Sequence, residues 1–364
     1  MAAPAPLRVA FVVPGGLDRV SGGFIYDRHL IAALRAQGAI VDVVPLAWLP
    51  AGSALAANLW PLPSALGGYD IVLEDELCHR SLLWRHQRVR AGGARVVALV
   101  HNLGCRQPAA RWRSAQSLVE RAYLRNIDGA VAVCIDTLTD VERLVARPLP
   151  IVVAHAGRDH VTPIASDDVA ARAAAGGPLR LLFVASVTPA KGLHRLLRVV
   201  TALVARGRDV TLDVAGALDQ APAYAGALRE RAAQADLASR VRWHGLLRAP
   251  ELAALYRRCH VLALPSDREA YPLVTIEALG AGLAVFVTNR GGAAEALGAG
   301  PHGRCLSPDD EDAWITALTA LAADRKRLAA AGVAALAHFS ALGTWADAAA
   351  RVLDFCRRLH LRRS

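Results

Sequence analysis

The chain has almost no lysine: of its 42 basic residues only Lys191 and Lys326 are lysines, and the rest are arginines. It has no run of about eighteen apolar residues, so no membrane span is expected. The 54% hydrophobic content is inflated by alanine. Six cysteines (Cys78, Cys105, Cys134, Cys259, Cys305, Cys356) are scattered, with no Cys-x-x-Cys pair and no His/Cys ligand spacing. That argues against a zinc module or a disulfide framework and for reduced, mostly buried thiols in the cytoplasm. Aromatic residues make up 5% of the chain and form no stacking pattern, and no nucleic-acid motif accompanies the net charge of +10. Nucleic acid is therefore not an expected partner. A positive surface still favours anions such as nucleotides, phospholipid headgroups or polyprenyl phosphates. Neither half carries Gly-x-Gly-x-x-Gly after a first strand with an acid about 20 residues on, which argues against an NAD-dependent oxidoreductase. Met1 to Pro6 is short and uncharged and does not look like a secretory leader.

At 364 residues the chain is long enough for two domains of ordinary size. Leu7 to Val13, Ile40 to Leu46, Asp70 to Leu73, Arg95 to Val100, Ala130 to Val133 and Ile151 to Ala154 read as strands separated by segments of helical length. This βα alternation specifies a parallel sheet with helices on both faces. Thr162-Pro163 then opens a polar stretch that Gly176-Gly177-Pro178 closes, so 162–178 reads as a linker. The pattern restarts with strands at Leu179 to Ala185, Val210 to Ala215, Val241 to Trp243, Val261 to Leu264 and Ala284 to Thr288. Two α/β units in tandem imply a cleft, a common place for ligand sites. At the end, Trp345, Ala349, Val352, Cys356 and Leu359 mark one apolar helix face. Arg357-Arg358 and Arg362-Arg363 read as a solvated basic tail.

The most informative stretch runs from Ser266 to Gly282, a loop that turns into a helix. Pro272 suits the first helical position, and Tyr271 before it is pushed toward the extended dihedrals of an N-cap. The amide hydrogens of Leu273 and Val274 are then unpaired donors, and such a helix start attracts phosphate. Glu269 precedes that start and Glu277 follows it. Eight residues of helix would span about 12 Å, close to the sugar-to-ribose distance of a nucleotide sugar. Two acceptor-only carboxylates can hold hydroxyls at either end, with the diphosphate on the amides between. Two surface glutamates on a solvated helix give the same bare pair.

The order Glu269, seven residues, Glu277, a small-residue turn, the strand Ala284 to Thr288 and the loop Gly291-Gly292-Ala293-Ala294-Glu295 resembles the signature of the retaining glycosyltransferases of family 4. The resemblance covers about 179–340 well and the first half more weakly. It implies a GT-B fold: two Rossmann-like parallel-sheet domains facing across a cleft, with the last helix crossing back to the first domain. The expected bounds are 1–161 for an acceptor-side domain, 162–178 for the linker, 179–342 for a donor-side domain and 343–364 for the returning helix.

Further positions follow from the same resemblance. Ser186-Val187-Thr188-Pro189-Ala190-Lys191-Gly192 follows a strand and opens a helix. The family places an Arg at Ser186 and a Lys at Lys191, both on the donor diphosphate. Lys191 fits as a flexible point charge. Ser186 supplies no charge, so another arginine substitutes or donor affinity is weaker. Gly22 and Gly23, in Val20-Ser21-Gly22-Gly23, let the backbone approach a phosphate, and a plain turn reads the same way. His101 ends a parallel strand, where ligands bind. The family places a histidine there beside the reacting sugar, and a core histidine is the plain alternative. Glu74-Asp75-Glu76 reads as a strand-end loop, and no metal and no cofactor beyond the nucleotide-sugar co-substrate is expected. Around Arg111-Trp112-Arg113, Trp112, Val119 and Tyr123 share a helix face with Arg111, Arg121 and Arg125 outside it. That pattern suits either peripheral contact with the inner face of a membrane or an ordinary helix packed on the sheet.

The expected function is transfer of a sugar from a nucleoside diphosphate sugar to an acceptor hydroxyl on a glycan, lipid or small molecule, without a metal. His101, Lys191 and Glu269 are the expected catalytic residues. Gly22, Gly23, Ser186, Lys191, Leu273, Val274 and Glu277 are the expected donor-binding residues. A catalytically inactive nucleotide-sugar-binding partner and a sugar epimerase on the same fold remain open readings.

Overall fold

A computed structural model describes residues 5–19, 21–59, 66, 68–106 and 113–361. Val20, Arg111, Trp112, Arg362 and Arg363, named above, lie outside the described residues. The chain forms two compact units, Met1–His160 together with Gly343–Ser364, and Val161–Leu342.

The first unit holds β1 (Arg8–Pro14), β2 (Ile40–Leu46), β3 (Ile71–Asp75), β4 (Arg95–Val100), β5 (Gly129–Ala132) and β6 (Ile151–Val153). They form one parallel sheet in the order β2-β1-β3-β4-β5-β6. β1 and β4 are nearly continuous apolar runs, and β3 is apolar as far as Leu73, because helices cover both faces of a parallel sheet. The helix Trp345–Leu361 returns to this unit and packs beside the helix Gly22–Ala36. Its face of Trp345, Ala349, Val352, Cys356 and Leu359 is buried, as the periodicity requires. The Trp345 amide also donates to Asp159 Oδ1 at 2.7 Å.

The second unit holds β7 (Leu179–Val184), β8 (Val210–Ala215), β9 (Val241–Gly245), β10 (Val261–Leu264), β11 (Ala284–Thr288) and β12 (Gly303–Leu306), all parallel, in the order β12-β11-β10-β7-β8-β9. β12 is an edge strand absent from the sequence reading. It opens on glycine, carries Arg304 exposed and is nowhere fully buried, so it lacks the apolar run of its neighbours.

The stretch 162–178 is not a free linker. It contains the helix Ser166–Ala174, which packs on the helix Arg325–Ala341 within the second unit. Val169 and Ala173 are buried, and Arg172 donates to the carbonyls of Ala281 and Gly282. Its single apolar stripe is short and diluted by Asp167, Asp168 and Arg172, which explains the polar impression. Among the described residues, Arg325–Leu361 has the length and mean hydropathy (1.4) of a membrane-crossing segment. It is broken after Ala341 into two helices of 17 residues, one in each unit. The helix Arg113–Leu124 turns Tyr123 and Val119 inward onto the sheet.

Candidate functional site

In the second unit β7 and β10 are neighbours whose connections diverge, β7 to β8 on one side and β10 to β11 on the other. The carboxyl ends of strands at such a switch point form the usual ligand crevice of an open parallel sheet. The loop after β7 carries Ser186, a short turn Pro189–Lys191, and Gly192, which caps the helix Leu193–Ala205 with φ +74°. A side chain at Gly192 would overlap the carbonyl of Pro265. The two loops are thereby in direct contact. The Asp267 amide donates to Ala190 O at 2.7 Å, and Arg195 pairs with Asp267 at 2.7 Å.

Lys191 and Glu269 come together on this scaffold. The Lys191 ammonium donates to Glu269 Oε1 at 2.7 Å, with the Lys side chain 34% exposed and the Glu side chain 10% exposed. The Glu269 backbone is held separately: its amide donates to Arg290 O at 3.1 Å and its carbonyl accepts from the Gly292 amide at 2.9 Å. Between them Gly291 has φ +90°, and a Cβ there would collide with Glu269 O. Only glycine fits, so the loop after β11 acts as a clamp on the acid.

The helix begins at Leu273, one residue later than expected. Pro272, not Tyr271, is the N-cap, with φ −72° and ψ 110°. The fixed φ of proline serves an extended residue as well as a helical one, and its carbonyl accepts from Thr275 N at 3.0 Å. The amides of Leu273 and Val274 have no hydrogen-bond partner among the described residues. On the same helix Glu277 accepts from the Tyr256 hydroxyl at 2.7 Å. Burial raises the Glu277 pKa, and the tyrosine bond opposes that rise. Ser186 is half-buried after β7, and its carbonyl accepts from the Thr188 amide at 2.9 Å. The serine leaves its own position without a charge.

In the first unit the switch point lies between β1 and β3. Gly22 and Gly23 are the first two residues of the helix Gly22–Ala36, with Ser21 as N-cap. A Cβ on Gly23 would lie 3.5 Å from the His101 ring, so two separately expected residues are neighbours. His101 Nε2 lies 3.0 Å from Asp27 Oδ1. Glu76 accepts from the His101 amide at 2.6 Å and from the Asn102 amide at 3.4 Å. Burial opposes a charge on His101, but Asp27, Glu76 and Asp75 outweigh it and raise its pKa to about 10. Burial raises Glu76 to about 7, against the pull of His101 and the two amides. Burial and the carboxylates of Glu76 and Asp27 also raise Asp75. A cavity of about 260 Å³ adjoins this cluster, lined in part by Trp48, Glu76, His79, Arg80 and Asn102.

Glu74-Asp75-Glu76 lies at a strand end, with only Glu76 beyond the strand, and it is buried. Glu74 and Asp75 close β3, and the three are 0%, 1% and 8% exposed. Partners explain the burial: Glu74 Oε2 accepts from His86 and from the Tyr123 hydroxyl, both at 3.0 Å. Ligand atoms of Asp27, Asp75 and His101 lie within 4.8 Å of one another, close enough for a cation. The Asp27–His101 contact is a hydrogen bond, however, and a ring nitrogen that shares its proton with a carboxylate has no lone pair for a metal. Asp27 and Tyr256 were not among the residues the sequence singled out. Asp27 does leave a trace, because it falls on the stripe of Phe24, Leu30, Ile31 and Leu34 where an acid is out of place. Tyr256 leaves none, since its bond to Glu277 is purely tertiary.

Residues 166–337 match the family model described as glycosyl transferases group 1. The chain is 31% identical to a D-inositol 3-phosphate glycosyltransferase of Rhodococcus opacus over 255 residues, 67% of this chain and 56% of that protein. It thus spans about half the length of the curated relatives it matches first. A D-inositol 3-phosphate glycosyltransferase 1 of Catenulispora acidiphila is 28% identical over 346 residues, covering 87% and 82%. Among solved structures, sucrose-phosphate synthase from Thermosynechococcus elongatus superposes with a TM-score of 0.79 at 20% identity, covering 98% of this chain and all of that one. The fold is GT-B. Anabaena HepE in complex with UDP-glucose has the same fold, with a TM-score of 0.76 at 17% identity, covering 96% and 98%.

Proposed function

We propose that this protein is a retaining glycosyltransferase of the family 4 type that moves a sugar from a nucleoside diphosphate sugar to an acceptor hydroxyl. The observation that carries this reading is the pairing of a part-exposed ammonium, Lys191, with Glu269, a few residues before the amides of Leu273 and Val274, which have no partner among the described residues. The group 1 match and the UDP-glucose held by Anabaena HepE support a nucleotide-sugar donor. The six free thiols suit a reducing cytoplasm.

The difficult step is departure of the diphosphate. The bond from the anomeric carbon to the phosphate oxygen breaks, and negative charge builds on that oxygen. Lys191 and the Leu273 and Val274 amides stabilise the charge where it develops. Glu269, clamped from the backbone, orients the sugar hydroxyls. Glu277, held by Tyr256, takes the ribose. The acceptor oxygen bonds to the anomeric carbon from the face the leaving group vacates, and its proton passes to the released diphosphate. No side-chain base and no metal is needed. Within the first unit, Gly22, Gly23 and His101 lie together beside a cavity of about 260 Å³ that suits an acceptor.

The test is a panel of nucleoside diphosphate sugars, with EDTA present. One donor class is expected to raise the melting temperature and to release nucleoside diphosphate slowly without acceptor, and glycosides formed keep the donor's anomeric configuration. Stabilisation by no donor overturns the reading. Binding without hydrolysis or transfer assigns the chain to a non-catalytic partner role instead.

A further inference from the structure

The chemistry above gives Asp27 no role, yet its geometry is specific. It is fully buried on the inner stripe of the helix Gly22–Ala36. Oδ1 meets His101 Nε2 at 3.0 Å, while Oδ2 is buried without a hydrogen bond. A half-satisfied buried carboxylate is costly, so its single bond has to matter. A carboxylate only accepts, which means the proton of that bond sits on Nε2. His101 Nδ1 then remains, with no partner among the described residues, on a side chain 15% exposed.

The rest of the residue is immobilised as well. Its amide is held by Glu76, its carbonyl accepts from Thr137 Oγ1 at 3.3 Å, and Tyr26 packs edge-on at 5.2 Å. The groups facing His101 are Gly23, Tyr26 and Asp27 from the first helix, Asp75 at the end of β3 and Glu76 after it, and Thr137 from the helix Ile135–Val145. The ionisable side chains among them, Tyr26 aside, are all acids, and burial raises the pKa of Asp75 and Glu76.

We propose that Asp27 is a positioning residue that fixes His101 with Nε2–H turned inward, so that the ring serves the substrate through Nδ1 as a hydrogen-bond donor and not as a proton-accepting base. This rests on the glycosyltransferase reading for its substrate, but not for its geometry. The surrounding carboxylates hold the imidazolium form, which has a proton on each nitrogen. A donor at Nδ1 suits a sugar hydroxyl or a phosphate oxygen. It also agrees with the acceptor proton leaving on the diphosphate.

Selective ¹⁵N-histidine labelling of the full chain tests the charge directly. In wild type both His101 nitrogens are expected to be protonated at pH 7, with a midpoint well above 8. In Asp27→Asn the midpoint falls by one unit or more. With donor and acceptor, kcat of Asp27→Asn is expected to drop about 10- to 100-fold, less than the ~10²–10³ typical of removing a donor outright. The donor KM should stay within about twofold, the alkaline loss of rate should move to lower pH, and Asp27→Glu should recover part of the rate. A neutral His101 in wild type at pH 7, or an unchanged pH profile in both Asp27→Asn and His101→Gln, overturns the proposal. If Asp27→Asn does not fold, the wild-type titration and His101→Gln still decide it. If wild type turns over no donor, the function reading fails alone and the labelling experiment stands.

Discussion

Lys191→Ala isolates the charge that the mechanism asks to carry the leaving group. The ammonium is 2.7 Å from Glu269 Oε1 and its side chain is 34% exposed, so it is held in place yet reachable by a ligand. Removing one such donor from a developing oxyanion costs about 3 kcal/mol, or roughly 10²-fold in kcat. The fold should survive. A part-exposed ion pair contributes at most about 1 kcal/mol, and Glu269 keeps its backbone bonds to Arg290 and Gly292. Lys191→Arg keeps the charge but offers a planar fork in place of a point charge, and should fall between alanine and wild type. The assay is single-turnover release of nucleoside diphosphate, read beside the donor-induced shift in melting temperature. Wild-type-like kcat and an undiminished shift in Lys191→Ala would refute the assignment.

Tyr256→Phe removes the hydrogen bond from Tyr256 to the Glu277 carboxylate; a further rise of its already raised pKa is expected, with a several-fold higher donor KM and little change in kcat, read by steady-state kinetics from pH 6 to 9. Gly291→Ala combines a left-handed φ with a collision at Glu269 O, and is expected to lose about 1–3 kcal/mol in denaturant unfolding and most of the activity with it. His101, raised to about 10 in the folded chain from an ordinary 6.5, contributes stability that is complete below pH 6.5 and is lost as pH rises through about 10. Glu76, raised to about 7, adds a loss of the same sign between about pH 4.5 and 7. Melting temperature should therefore fall with rising pH over both windows, and His101→Gln should flatten the upper one.

Much of this was legible in the sequence because parallel strands buried on both faces are written as apolar runs. Arg95–Val100 and Val261–Leu264 have the same bounds in sequence and structure. The acidic loop was legible for a different reason. Pro272 and the absence of side-chain caps leave amides free whichever residue is the N-cap, so a one-residue error in the helix start left the chemistry unchanged. What escaped was tertiary. β12 is an edge strand without an apolar run, and the helix Ser166–Ala174 has too narrow a stripe to stand out from a polar stretch. The burial of Glu74 depends on His86 and Tyr123, far from it in sequence. Asp27 was visible as a charge on an apolar stripe, but nothing local names His101 as its partner.

The most direct measurement is a ¹H–¹⁵N titration of the full chain with the stabilising nucleoside diphosphate sugar. The Leu273 and Val274 amide resonances are expected to shift downfield and saturate together, and Lys191→Ala should weaken the binding isotherm. A saturable ligand that leaves both amides unmoved, with its perturbations elsewhere in the chain, would contradict the claim that these backbone donors receive the diphosphate.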